Sequence, residues 1–336
     1  MILLLRRIVN LFLITVSYLI SRVTKRVIHW GPPLAVSIEP NNSCNLHCPE
    51  CPAGLRELTR ARGIMQPVMF ESIINQMLPQ LSWLTLYFQG EPYMSNHFFG
   101  FIKYARSKKI FVATSTNGHF LDEASVNQTI QSGLNRVIIS LDGANQESYE
   151  AYRQGGDFEK VIAGIRLLVS EKKRLKKRTP EIVLQCLVLR SNEDQLDEMR
   201  KLAGNLGVDK LEFKTAQFND YKDGNPLMPE NPKYSRYVRL PARPPAHPST
   251  HPLAHQFIPK NPLPNACFRM WSSCVITWDG KVVPCCFDKD AMHVIGDLSQ
   301  NSFKEIWRGK PTSEFRKKIL LNRKAIDICS NCSQTY

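Results

Sequence analysis

From residue 34 onward, short runs of β-branched and other apolar residues alternate with longer segments whose apolar positions recur every three or four residues. The strand-like runs lie at 34–39, 83–88, 110–115, 136–141, 182–189 and 210–215, and a helical-period segment follows each of the first five. Alternating βα units predict a parallel sheet with right-handed crossovers, either open and doubly wound or curled into a barrel. In both arrangements chemistry belongs just beyond the C-terminal ends of the strands. Six basic residues among the seven at 172–178 fall where the long helix before the fifth strand should end. Cations are favoured there by the helix dipole, so the run reads as a solvated helix terminus.

The first thirty residues follow a different pattern. Their uninterrupted uncharged run, 8–21, is shorter than the roughly 20 residues a spanning helix needs, and no small-residue cleavage site follows it. Arg7, Asn10, Ser17, Ser21 and Thr24 fall along one helical stripe, which predicts an amphipathic helix. Arg6, Arg7, Arg22, Lys25 and Arg26 face no acidic residue in this segment. Two placements suit such a helix: on an anionic membrane surface, or packed on the protein's own core.

Eight prolines between 241 and 264 exclude regular structure and predict an irregular connection. His247, His251 and His255 within it have helical metal-ligand spacing, but Pro248 and Pro252 argue against the helix. Beyond the connection, two β-rich runs meet at Asp279-Gly280, a hairpin signal, and two helical segments follow at 302–308 and 313–321. The division expected is therefore an N-terminal basic helix at 1–33, an α/β unit at 34–217, the Pro-rich connection at 218–264 and a small hairpin-plus-helix domain at 265–336.

Charge and cysteine content sharpen this picture. The 336-residue chain carries a formal net charge of +14, which suits an acidic partner such as a phosphate-bearing substrate or an anionic membrane; nucleic acid is not expected. Of ten cysteines, all but Cys186 are grouped at the two ends of the α/β and C-terminal region. That grouping favours metal ligation in a reducing compartment over disulfide staples. Cys186 sits inside an apolar strand and reads as a core residue. A cytoplasmic enzyme, peripheral on the inner face of the membrane if the first helix binds lipid, is the expected location.

Cys44, Cys48 and Cys51 lie on a short loop after the first strand, spaced CxxxCxxC. Three thiolates hold three irons of a cubane and leave the fourth without a protein ligand, as a catalytic zinc keeps an open position. This loop resembles that of the radical SAM superfamily. Further matches sit at the other strand ends: Gln89-Gly90-Glu91-Pro92 resembles GGEP, Thr116-Asn117-Gly118 the third-strand motif, and Ser140-Leu-Asp142-Gly143 with Tyr152-Arg153 the SxDG and its downstream arginine. The resemblance implies a partial (β/α)6 barrel and a [4Fe–4S] cluster whose open iron is chelated by S-adenosylmethionine. It also implies a 5′-deoxyadenosyl radical that abstracts hydrogen from substrate, and a protein reductant such as flavodoxin or ferredoxin. Glu91 would then bind the methionyl ammonium, Asn117 and Asp142 would lie in the cofactor motifs, and Ser140 and Arg153 would contact ribose and carboxylate. Two positions depart from the pattern: Gln89 replaces a glycine, and Glu50 precedes the last cluster cysteine.

Cys267, Gly280, Cys285 and Cys329-x-x-Cys332 resemble the SPASM/twitch extension of that superfamily. The resemblance implies one auxiliary [4Fe–4S] cluster on Cys267, Cys285, Cys329 and Cys332, with Cys274 and Cys286 as alternative ligands or free thiols. Such a cluster suits oxidation of a peptide or of a small molecule such as an aminocyclitol alcohol; a phosphate- or lipid-linked substrate is a third reading, and Lys214 and Gln217 at the end of the sixth strand could face it. The rival class is a non-enzymatic zinc or iron–sulfur protein, which accounts for the C-terminal cysteines but not for CxxxCxxC.

Overall fold

The computed structural model describes residues 2–240, 257–260 and 263–332. In chain order its elements are α1 (Ile2–Thr24), β1 (Ala35–Ile38), α2 (Pro52–Leu55), α3 (Pro67–Met77), β2 (Trp83–Thr85), α4 (Phe98–Ser107), β3 (Phe111–Thr116), α5 (Glu123–Gln131) and β4 (Arg136–Ser140). There follow α6 (Gln146–Glu150), α7 (Phe158–Arg174), β5 (Glu181–Val188), α8 (Leu196–Leu206), β6 (Lys210–Thr215), β7 (Tyr237–Arg239), β8 (Phe257–Pro259), α9 (Arg269–Ser272), β9 (Ser273–Ile276), β10 (Lys281–Val283), β11 (Gly296–Asp297), α10 (Phe303–Arg308), α11 (Lys310–Asn322) and α12 (Asp327–Ser330).

Strands β1 to β6 pair in sequence order and in parallel, the βα pattern of a partial (β/α)6 barrel. Strand pleating sends alternate residues to opposite faces. Val36, Ile38, Leu84, Val112, Val137, Ile139, Ile182, Leu184 and Cys186 are buried in the core beneath the helices. Residues of the other parity, among them Ser37, Thr85, Ser140, Gln185 and Glu212, line the inner face. Near the strand starts that face is plugged by Trp83 stacked on Phe111 at 4.3 Å, with Arg136 beside both rings and paired to Glu181 at 2.5 Å. Helix α7 buries Phe158, Val161, Ile162, Ile165, Leu168 and Val169 at helical spacing and ends in Lys172, Lys173 and Arg174, the solvated terminus expected.

Three features differ from the sequence expectation. The C-terminal hairpin does not form a sheet of its own: β9 pairs in parallel with β1 along Ala35–Ile38, so that β11, β10 and β9 extend the barrel sheet. The connection is not wholly irregular, because β7 pairs with β8, where Pro259 occupies the end of an edge strand and needs no ladder N–H. The three histidines of the connection lie outside the described residues. The second strand pairs only to Thr85, although Leu86 N still donates to Ala113 O at 2.8 Å.

Helix α1 packs on the protein, with its polar stripe inward. Asn10, Ser17 and Ser21 are buried together with Ile14 and Tyr18. Asn10 Nδ2 donates to Pro32 O (3.0 Å), and Ser21 Oγ donates to Ile28 O (2.9 Å). Tyr18 packs edge-on against Phe268 and Trp271.

Candidate active site

The loop carrying Cys44, Cys48 and Cys51 is clamped by the turn after β2. Gly90 has φ +75°, and a Cβ there would meet Ser43 O at 2.7 Å and Asn41 O at 2.8 Å, so only glycine lets the two loops touch. Gln89 has no positive φ, and its side chain donates to Phe88 O, which makes the missing first glycine harmless. Glu91 N donates to Ser43 O at 2.8 Å, and Asn41 Nδ2 donates to Glu91 O at 2.8 Å.

Glu91 is buried, and its carboxylate accepts from Tyr93 N (3.2 Å), Thr116 Oγ1 (2.7 Å) and Asn117 N (2.8 Å). Three of a carboxylate's four acceptor positions are thereby filled. Burial pushes its pKa up to about 7, against the pull of these donors. Asn117 Nδ2 donates to Asn45 Oδ1 (2.8 Å) and lies 3.7 Å from Cys44 Sγ.

Across the rim, Asp142 is fully buried and both its oxygens are engaged: Oδ2 accepts from Arg153 Nε (2.6 Å) and Oδ1 from Leu187 N (2.6 Å). The pair aims Arg153, whose Nη1 lies 3.8 Å from Cys48 Sγ. Ser140, at the end of β4, is half-buried, with no hydrogen-bond partner for its hydroxyl among the described residues. Lys214 is exposed and paired with Glu212 at 3.1 Å.

The C-terminal cysteines divide cleanly. Cys267, Cys285, Cys329 and Cys332 line one small, mostly apolar cage, with Met270, Phe315 and Arg323 in its wall. Cys274 is buried in β9 and Cys286 is exposed, both outside that cage. Arg323 Nη2 lies 3.4 Å from Cys332 Sγ. Cys285 also lines a second cavity, on the inner face of the barrel, with Ser37, Thr85, Arg269 and Cys286. None of the ten cysteines is in a disulfide.

Burial pushes both Cys44 and Cys329 up to about 11, so near neutral pH the free thiols stay protonated, and a bound metal would displace the proton. Among the described residues no group of three or more His, Cys, Asp or Glu side chains converges as a single metal ion requires. A cubane spreads its thiolate ligands over separate irons, so such a ligand set need not converge on one point.

The family model of the radical SAM superfamily matches residues 38–203, and that of the SPASM iron–sulfur cluster-binding domain matches residues 267–333. The chain belongs to the radical SAM superfamily. This radical SAM chain is 26% identical to the PqqA peptide cyclase of Rhizobium meliloti (strain 1021), over 82% of its own length and 74% of the relative's. It is 23% identical to the tungsten-containing aldehyde ferredoxin oxidoreductase cofactor-modifying protein of Pyrococcus furiosus, over 88% and 86%. In fold it is similar to BtrN in complex with AdoMet and 2-DOIA, with TM-score 0.55, 18% identity, and 90% and 93% of the two chains covered. It is thus a radical SAM enzyme with a SAM-binding [4Fe–4S] site and a SPASM-type auxiliary region, which favours the enzyme over the zinc protein.

Several residues that shape the radical SAM site carry no motif. Glu39, at the end of β1, is completely buried and accepts two hydrogen bonds of 2.6 Å from Arg60. Trp278 N in the C-terminal hairpin donates to the same carboxylate, and Trp278 Nε1 donates to Ala61 O. Thr59 N and its hydroxyl donate to Asp290. The segment after the cluster loop is therefore bolted to the auxiliary region. Glu50 accepts from Asn219 N (2.8 Å) and Asn225 Nδ2 (2.9 Å), tying the chain after β6 to the loop. His119 Nε2 accepts from Asp157 N at 2.9 Å, fixing its proton on Nδ1, near Asn117 Oδ1.

Proposed function

We propose that Cys44, Cys48 and Cys51 hold the cluster that binds S-adenosylmethionine, that Cys267, Cys285, Cys329 and Cys332 hold a single auxiliary [4Fe–4S] cluster, and that the enzyme oxidises a peptide. When bound, the first cluster and S-adenosylmethionine supply a 5′-deoxyadenosyl radical for hydrogen abstraction, and the second accepts the electron that the substrate radical releases. The observation carrying the oxidative reading is Cys285, which with Arg269 lines both the auxiliary cage and the cavity on the inner face of the barrel. The peptide assignment is supported by similarity to a relative named as a peptide cyclase. A flavodoxin or ferredoxin would supply the reducing electron, in the cytoplasm, where cysteines outside disulfides persist.

Within the site, Arg153 reads as the clamp for the methionyl carboxylate, since its planar fork binds both oxygens, and Asp142 as the residue that positions it. Ser140 offers a free hydroxyl to the ribose. Glu91 keeps one acceptor position for the ammonium, and Asn117 braces both Glu91 and the cluster loop.

Anaerobic reconstitution should give about eight irons per chain, two cubanes of four, with 5′-deoxyadenosine formed under dithionite. A candidate peptide encoded beside the gene should lose two hydrogens or gain a cross-link by mass spectrometry. Zinc without sulfide would overturn the cluster reading, and oxidation of an aminocyclitol in place of peptides would overturn the substrate reading.

The acid–base state of Glu91 adds a pH dependence. The ammonium docks on the ionised carboxylate, so affinity for S-adenosylmethionine should fall about tenfold per pH unit below the carboxyl value of about 7 and level off above it. Glu91→Gln should weaken binding and flatten this profile in calorimetric titrations of the cluster-loaded enzyme. Without ligand the sign for stability is opposite: a carboxyl raised on folding stabilises the fold most below its unfolded value, and that contribution is lost as pH rises through about 7.

A further inference from the structure

We propose that α1 is an interfacial anchor that lies in one leaflet of an anionic lipid bilayer, with the barrel held beneath it in the aqueous phase. The inward placement of the polar stripe leaves the opposite face of the helix bare. Leu4 (64% exposed), Leu5 (60%), Ile8 (54%), Phe12 (65%) and Val23 (82%) point to solvent. Spaced at 3.6 residues per turn, these positions and Val9, Leu11 and Leu19 form one continuous apolar arc along the whole helix. Thr15 interrupts the arc, but its hydroxyl is satisfied by Leu11 O at 2.8 Å. Burying apolar side chains of this size is favourable, so the bare face is a large unclaimed source of binding energy.

Charge on the page identifies the occupant. Arg6, Arg22, Lys25 and Arg26 are exposed at the ends of the helix, and the segment holds no acidic residue. Basic residues near an anionic leaflet strengthen binding through its negative surface potential. Trp30, 46% exposed, stands beside the helix, as interfacial tryptophans do. Between α1 and Trp30 runs a crevice of about 510 Å³ lined by Leu5, Val9 and Leu13 together with Asn10, Gln80, Arg6 and Arg308. Apolar walls beside two guanidiniums match a phospholipid, acyl chain and phosphate together.

The helix cannot cross the bilayer while docked. Near its start Arg7 donates to Leu81 O (2.6 Å) and Lys109 O (2.9 Å); near its end Ser21 is held by Ile28, and Trp271 Nε1 donates to Ile28 O (2.9 Å). Pinned at both ends, about 35 Å of helix lies flat. Leu81 and Lys109 immediately precede β2 and β3, so α1 covers the end of the barrel where strands begin. The cluster loop is at the other end. An anchored enzyme therefore opens its active rim away from the lipid, toward a water-borne substrate and reductant.

The test uses the full-length, cluster-loaded protein and flotation with vesicles of phosphatidylcholine, with and without phosphatidylglycerol. Wild type should float with the anionic vesicles, less so in high salt. Leu5→Glu with Phe12→Glu, both at largely exposed positions far from the cluster loop, should lower partitioning about a hundredfold while leaving 5′-deoxyadenosine formation unchanged. Arg22→Glu, Lys25→Glu and Arg26→Glu together should abolish the preference for phosphatidylglycerol. Absence of flotation by wild type, or equal flotation by the Leu5→Glu/Phe12→Glu variant, would overturn the proposal. So would a wild-type dimer in sedimentation that this variant dissociates without any vesicle binding, since the face would then belong to a second copy of the chain.

Discussion

Cys48→Ala enzyme should form no 5′-deoxyadenosine above background under dithionite, a loss of at least about a thousandfold, of the size seen when an essential group is removed. Cys48 is almost fully buried, and Arg153 lies against its sulfur. On the proposed assignment its removal takes one of three ligands, so the cluster should not be retained. Cys329→Ala tests the second set with a different signature. Its loss opens the auxiliary cage but leaves the cluster loop and the rim intact, so iron content should fall by about half, single-turnover cleavage of S-adenosylmethionine should persist, and oxidation of substrate should stop. Iron and sulfide analysis with chromatography of the nucleoside checks both. Equal loss of cleavage in the two variants would mean that the C-terminal set does not form a separate cluster.

Arg60→Leu should lower stability by about 3–5 kcal/mol, the cost of leaving a buried charge without its partner. Glu39 is fully buried in the sheet; burial raises its pKa, and Arg60 is the main counterweight. With Arg60 gone, the carboxyl takes up a proton more readily, so the deficit should shrink as pH falls from neutral toward the ordinary carboxyl range. Arg60→Leu combined with Glu39→Leu should recover most of the loss, because no buried charge remains. Urea unfolding of the cluster-loaded protein at neutral and mildly acidic pH reads all three. A double variant no better than the single one would mean that the segment after the cluster loop depends on Arg60 for packing against Phe88 rather than for charge.

Much of the architecture is legible locally. The six strands of the barrel appear as apolar runs because pleating and burial impose a short period, and α7 ends where its basic run sets in. Gly90 is readable as the glycine that matters in Gln89-Gly90-Glu91-Pro92 only once its contact with Ser43 and Asn41 is seen. Asp142 looks in sequence like a cofactor ligand beside Ser140, yet both its oxygens turn inward to Arg153 and Leu187. Likewise Glu39 and Arg60 belong to no motif, and their pairing across 21 positions leaves no periodic trace.

By itself the sequence determined the parallel βα order, the CxxxCxxC loop at the end of β1, the second cysteine group and the amphipathic first helix. These follow from spacing, and spacing is a property of the local backbone. Only the tertiary structure decided which four of six C-terminal cysteines share a cage, that the hairpin extends the barrel sheet by pairing with β1, and that the polar stripe of α1 faces the protein while its apolar face is bare. Those outcomes depend on contacts between segments far apart in the chain. A periodic pattern says that a helix has two faces; what packs against it decides which face turns inward.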